Sequence, residues 1–208
     1  RSDFNIFKGL HEVNFGLDAN YHNLLPGSYL PGSDSSLVEK NLMETERAFE
    51  GAIYADEKVK LTDYFSAEVG FRFSSFFTFG PRTVYLYDPR YTKSQSTITD
   101  EINYTSGQVM NKYAGPELRA SLNFRMADNS SFKINYNRTR QYIHLLSNST
   151  TISPTDSWKL CDTYLKPETG DQYAIGFYQM LFNKKLETSV EIYYKVIKNM
   201  IDLKGGKD

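Results

Sequence analysis

Alternation of apolar and polar residues with a period of two dominates the chain, and no stretch sustains a helical period. From His11 to His22, Val13, Phe15, Leu17, Ala19 and Tyr21 alternate with Glu12, Asn14, Gly16, Asp18 and Asn20. Successive side chains of a strand point to opposite faces, so this segment is a ribbon with one apolar and one polar face. Tyr64 to Phe73 repeats the pattern, with Phe65, Ala67, Val69, Phe71 and Phe73 set against Ser66, Glu68, Gly70 and Arg72. So does Tyr113 to Met126, where Leu118, Ala120, Leu122, Phe124 and Met126 face away from Glu117, Arg119, Ser121, Asn123 and Arg125. Further strands are predicted over Ser131–Arg140, Asp171–Phe182 and Leu186–Ile197. The segment Thr45–Ala55 alternates less cleanly. Its Glu, Ala, Met and Leu content makes a helix over Leu42–Ala52 the alternative, and strand is preferred because of the strands that follow.

The connections are as informative as the strands. Counted from His11 there are seven strands, with an eighth left open, and the links alternate long and short. The long ones cover Leu25 to about Asn41, Thr78 to Asn111 and Leu145 to Gly170. The short ones are Asp56–Asp63, Ala127–Ser130 and Asn183–Lys185. In an up-and-down membrane barrel the short turns gather at one rim and the long loops at the other. Strands of about ten residues also suit a tilted crossing of the hydrocarbon layer. Tyr21, Tyr54, Tyr64, Tyr113, Tyr193 and Tyr194 lie near predicted strand ends, where rings with polar tips would sit at the membrane interface. The fold class read from this is all-β: an antiparallel meander forming a partial arc of a large transmembrane β-barrel. The alternative is a soluble β-sandwich acting as a carbohydrate-binding module, with the apolar faces meeting in one core.

Composition narrows the functions. The chain has 24 Lys and Arg against 25 Asp and Glu, a net charge of −1, which argues against nucleic acid as a partner. One cysteine, Cys161, leaves neither a disulfide framework nor a cysteine-rich metal site. His11, His22 and His144 are scattered without ligand spacing and are read as surface or interface residues, so no metal and no cofactor is predicted. No nucleophile elbow, phosphate loop or dinucleotide fingerprint occurs, and the chain is expected not to be an enzyme. Glu117 and Glu168 are read as polar-face carboxylates rather than an acid/base pair. Four Asn-x-Ser/Thr sequons, at Asn103, Asn129, Asn137 and Asn148, are discounted as chance matches in a chain rich in these residues.

Several segments carry a family resemblance. Leu165-Lys166-Pro167-Glu168-Thr169-Gly170-Asp171 through Phe177, followed by Val190-Glu191-Ile192-Tyr193-Tyr194-Lys195 through Ile201, resembles a late hairpin in the barrel of TonB-dependent outer-membrane receptors of the Bacteroidetes type. Arg140–Leu146 and Pro154–Trp158 resemble the loop before it; Ala52–Tyr54 and Gly70–Phe73 do so more faintly. The resemblance implies a middle-to-late arc of a barrel of about 22 strands around a plug. It also implies the bacterial outer membrane and energised uptake of a scarce nutrient: siderophore, cobalamin, glycan or peptide. The implied partners are outer-membrane lipid, the receptor's own plug domain and the rest of its barrel, the TonB complex acting through the plug, a surface lipoprotein, and a small-molecule or glycan ligand. Residues 1–208 are read as one fragment of the barrel domain, without plug or signal peptide, both ends being cuts inside a longer protein.

The long loops are the expected ligand contacts. Tyr85, Tyr87, Arg90 and Tyr91 combine ring faces with a guanidinium, a mixture suited to stacking on sugars or flat ligands. Asp156 and Trp158 form a second such cluster. The competing reading is that these rings only pack the loops onto one another.

Overall fold

The computed structural model describes residues 1–33, 36–37, 41–146, 157–183 and 185–201. Its strands are β1 (Ser2–Lys8), β2 (His11–Leu24), β3 (Ser28–Tyr29), β4 (Asn41–Leu42), β5 (Glu46–Lys60), β6 (Phe65–Phe79) and β7 (Arg82–Tyr87). They continue as β8 (Ile98–Tyr104), β9 (Val109–Ala127), β10 (Ser130–Gln141), β11 (Ile143–Leu146), β12 (Ser157–Leu160), β13 (Glu168–Leu181) and β14 (Leu186–Lys198). Eight of them form one sheet in the order β1-β2-β5-β6-β9-β10-β13-β14, each antiparallel to its neighbours. The remaining six make three small hairpins, β3-β4, β7-β8 and β11-β12, all in the long connections.

Long and short links therefore alternate between the two ends of the sheet. Several expectations shift in detail. Ser2–Lys8 is an eighth strand, paired with β2 from Ser2↔Leu17 to Lys8↔His11. Its alternation is brief because Phe7 interrupts it, and the turn is made at Gly9, whose φ of 61° favours a residue without a Cβ. The expected turn at Asp56–Asp63 shrinks, because β5 runs on to Lys60. The charges there are paired across strands: Asn14 donates to Asp56 at 3.1 Å, and His11 Nδ1 lies 2.6 Å from Glu57. Strands β6 and β9 likewise reach into the expected loop 78–111, which then continues as the β7-β8 hairpin. Leu42–Ala52 is extended rather than helical from Glu46 onward.

Register fixes what each face carries, since residues directly opposite in adjacent strands share a face. Leu17, Ile53, Phe73 and Pro116 lie in one row across four strands, and Val59, Ala67, Leu122, Ile134 and Ile175 in another. These rows belong to the apolar face, and no second layer among the described residues covers it: Val69 is 61% exposed, Phe71 47% and Ile192 73%. The sandwich alternative fails here, because its apolar faces would have to meet in a common core. The opposite face carries Asp18, Glu50, Arg72 and Glu117. Tyr54, Tyr113 and Tyr193 fall on this polar face rather than in an interfacial belt: Tyr54 bonds Asp3, Tyr113 bonds the Asp162 carbonyl, and Tyr193 lies opposite Ala174. Tyr21 and Tyr194 do lie on the apolar side, in register with Phe49 and Tyr173.

Pairing between β9 and β10 ends at Arg119↔Asn137, short of Pro116, which has no N–H to donate. The Arg140 guanidinium reaches the Pro116 carbonyl at 3.5 Å and occupies the place a Cβ on Gly115 would need. Any larger residue at Gly115 would displace that arginine.

Candidate functional site

The connection between β10 and β13 turns back over the polar face at the loop end of the sheet. Tyr142 leads it, stacking on Phe76 with ring centroids 4.8 Å apart and planes 3° apart, while its hydroxyl and Ser74 Oγ share a 2.8 Å hydrogen bond. Leu160, Cys161 and Ala48 complete a small buried core around the two rings. Phe76 departs from the polar pattern of its face because this loop, not solvent, covers it. Parallel stacking adds about 0.5–1.5 kcal/mol beyond burial.

A charged knot ties that core to the neighbouring hairpin. The Glu46 carboxylate, 8% exposed, accepts the Leu160 N–H at 2.8 Å and Arg82 Nη1 at 3.1 Å, and it also pairs with Lys159. Asp162 sits on the far side of both cations, 3.3 Å from Lys159 and 3.9 Å from Arg82. Its other oxygen accepts the N–H groups of Tyr164 and Leu165 at 2.8 and 3.0 Å, closing a local turn. Residues from β5, β7, β12 and the segment after β12 thus form one hydrogen-bonded unit.

Against this unit lies an aromatic cleft of about 220 Å³, lined among others by Arg82, Tyr85, Tyr87, Lys93, Asn111 and Tyr164. Tyr87 and Tyr164 meet edge to face at 5.8 Å. Lys93 Nζ stands 3.5 Å above the Tyr164 ring and 6.0 Å from Tyr87, a cation–π arrangement. The Tyr164 hydroxyl donates to the Tyr85 carbonyl, joining the two loops. Such a cleft can hold a flat ring against tyrosine faces while offering an ammonium and an amide to its edge.

Of the residues singled out from sequence, Tyr85 and Tyr87 line this cleft. Arg90 is committed elsewhere: its guanidinium binds Asp88 at 3.0 and 2.7 Å and lies 5.7 Å from the Tyr91 ring. That pairing holds the Asp88 carboxyl below the usual carboxylate range. Tyr91 opens onto a separate shallow depression with Asp88 and Thr97. Trp158 is half exposed on β12, opposite Leu145, away from the cleft. Asp156 lies outside the described residues. The lining residues not foreseen include Arg82, Lys93, Asn111 and Tyr164, which come from separate segments. Tyr164 immediately precedes the Leu165-Lys166-Pro167-Glu168 run, which was the available signal.

His144, expected at a surface or interface, is buried where the loop packs, with Nε2 3.3 Å from Cys161 Sγ. Burial lowers the affinity of His144 for a proton, and burial together with Asp162 pushes the Cys161 thiol up to about 12. A thiol so rarely ionised is a packing group and a poor nucleophile. Among the described residues no three His, Cys, Asp or Glu side chains converge as a metal site.

Further along the polar face, Arg72 is surrounded by Asp18 at 3.3 Å, Glu117 at 3.7 Å and Glu50 at 3.9 Å. Glu117 therefore belongs to an arginine-centred network. A second cavity of about 190 Å³ opens beside it, lined by Tyr54, Asp56, Arg72, Glu117 and Arg119 among others.

The ferric-catecholate import receptor Fiu from E. coli K12 in its closed form superposes with a TM-score of 0.55 at 18% identity, over 94% of this chain and 30% of that one. Its open form gives 0.51 at 17% identity, over 95% and 29%. This chain thus spans about 30% of the receptor's length, and the likeness shows the fold. No curated protein matches the sequence. The family model for the TonB dependent receptor-like β-barrel matches residues 2–207, and with its single meandering sheet, one-sided long loops and uncovered apolar face, the chain belongs to that family.

Proposed function

We propose that this chain is a wall segment of a bacterial outer-membrane receptor that takes up a scarce nutrient with energy supplied through TonB, and that its folded loops hold part of the nutrient site. The observation that carries this is the sheet's two-sidedness. Apolar rows lie uncovered on one face, while the long loops fold back over the charged face at one end only. Hydrocarbon would cover the first face and a hydrated lumen the second. The lumen face, with its Arg72-centred carboxylates, is then the surface met by the receptor's own plug, through which TonB would act. The rest of the barrel supplies partners for the β1 and β14 edges. A surface lipoprotein would meet the loop rim. In this role the chain performs no catalytic step. The Leu165–Phe177 and Val190–Ile201 segments support a parent receptor of the Bacteroidetes type.

For the nutrient, the Tyr87–Tyr164–Lys93 cleft favours a flat, electron-rich or anionic ligand over a bulky peptide. The similarity to structures described as ferric-catecholate import receptors supports the same class. The Tyr85 carbonyl holds the Tyr164 hydroxyl in place, and Arg90, Tyr91 and Trp158 would meet the ligand only outside the cleft. The test is ligand binding to the full-length receptor in detergent, using a ferric tris-catecholate probe. Tyr87→Ala with Tyr164→Ala should weaken binding about tenfold or more, from about 1–3 kcal/mol of lost ring contact. Unchanged affinity in a variant that keeps heat-resistant barrel migration would remove the cleft from the binding site.

A further inference from the structure

On the apolar face, charge is distributed unevenly between the two ends of the sheet. At the short-turn end the charged residues of this face are Lys8, His11 and Glu57, and Glu57 takes the His11 hydrogen bond. At the loop end, Arg47, Lys112, Arg138 and Lys198 share the face with Asp171, the one carboxylate on this face among the described strand residues there. Asp171 is already engaged by both nitrogens of an Arg138 fork, at 2.7 and 3.0 Å, and by the Tyr136 hydroxyl at 2.8 Å. Arg47 and Lys112 have no carboxylate partner among the described residues.

Those two cations straddle β6. Arg47 lies directly opposite Phe79, and Lys112 directly opposite Phe77, over whose ring its ammonium stands at 5.7 Å. Two strand spacings and a two-residue offset along the strands separate the pair, so their backbones are about 12 Å apart across a phenylalanine floor. Two unpaired cations above an apolar surface are complementary to a lipid whose acyl chains run down the Phe71–Phe73 side and whose anionic head sits at the rim. An isolated cation at this depth would instead have to be hydrated or paired.

We infer that Arg47 and Lys112, with Phe77 and Phe79 between them, form a binding site on the outer barrel wall for the phosphate headgroup of a lipid in the loop-side leaflet. The inference rests on the barrel orientation proposed above, in which this face meets lipid. Neither Arg47 nor Lys112 lines the nutrient cleft.

The test uses the full-length receptor reconstituted into phosphatidylcholine bilayer discs doped with phosphatidic acid. The lipids that stay bound on release from the disc are counted by native mass spectrometry. The wild type should retain phosphatidic acid over phosphatidylcholine by roughly tenfold. Arg47→Gln with Lys112→Gln should abolish that preference, while Lys133→Gln, on the polar face, should leave it intact. An intact, heat-resistant barrel with equal preference in the double variant overturns this site alone. Displacement of the lipid by inorganic phosphate at equal concentration would also overturn it, because a free anion would then be the ligand. Failure of the wild type to enter the bilayer as a barrel overturns the underlying orientation and this inference with it.

Discussion

Glu46 ties the folded loop to the neighbouring hairpin through charge, and Glu46→Gln isolates that charge. The substitution keeps the shape and one oxygen for the Leu160 N–H, which the carboxylate now holds at 2.8 Å. It removes the negative charge facing Lys159 and Arg82. Hydrogen bonds to charged groups contribute about 1.5–3 kcal/mol each when fully enclosed. Here the two cations are 22% and 28% exposed and keep Asp162 at 3.3 and 3.9 Å, so each loses part of that value. A loss of about 1 kcal/mol per cation gives about 2 kcal/mol for the pair. If the connection between β10 and β13, a strap over the polar face, opens locally, that is roughly a thirtyfold increase in its open population. Hydrogen–deuterium exchange on the full-length receptor in detergent would read it. Peptides covering 143–146 and 157–161 should exchange about thirtyfold faster, and those from 118–124 should not change. Two results would refute the reasoning: loop exchange altered by less than about threefold, or acceleration spread evenly over the sheet strands.

Phe71→Lys places an ammonium in the middle of the apolar face of β6; it should destabilise the inserted barrel by about 2–4 kcal/mol and reduce the heat-resistant fraction on gels, and an unaltered fraction would count against lipid on that face. His144 gives the loop a pH dependence. Burial holds its proton affinity below the ordinary value of 6.5, so the unfolded loop binds more protons than the packed one as pH falls below that value. Stability present above pH 6.5 is therefore lost on acidification, and exchange of the 143–146 peptide, corrected for intrinsic rate, should rise toward pH 5 in the wild type but not in His144→Phe. Tyr142→Ala removes the ring stacked on Phe76 and should release the strap by about 3–5 kcal/mol, whereas Tyr142→Phe, losing only the Ser74 bond, should cost about 1 kcal/mol; equal effects would mean that the stack is not what seats the loop.

Strand positions and faces were legible in the sequence because the period-two pattern is a local property. Val69, Phe71 and Phe73 alternate with Glu68, Gly70 and Arg72 whatever lies beyond them. The alternation of short turns and long links likewise showed that the loops gather at one end. Family membership was readable from the Leu165–Phe177 and Val190–Ile201 segments, which carry it within one hairpin. Ser2–Lys8 escaped because seven residues with one break in alternation give too weak a periodic signal.

Contacts between loops were settled only by the tertiary structure. Glu46 at the start of β5 and Leu160 in β12 are 114 residues apart, and no local pattern marks either as the other's partner. Phe76 is an apolar ring on the polar face, and only the packed loop explains it, with Tyr142 lying on the ring. The candidate cleft needs Tyr87, Lys93, Asn111 and Tyr164 from separate segments, so only Tyr85 and Tyr87 could be picked out beforehand. Hydrophobic alternation specifies which side of a strand faces lipid because hydrocarbon rewards each apolar side chain independently. Pairing between distant loops depends on chain closure and mutual burial, and those exist only once the whole sheet has formed.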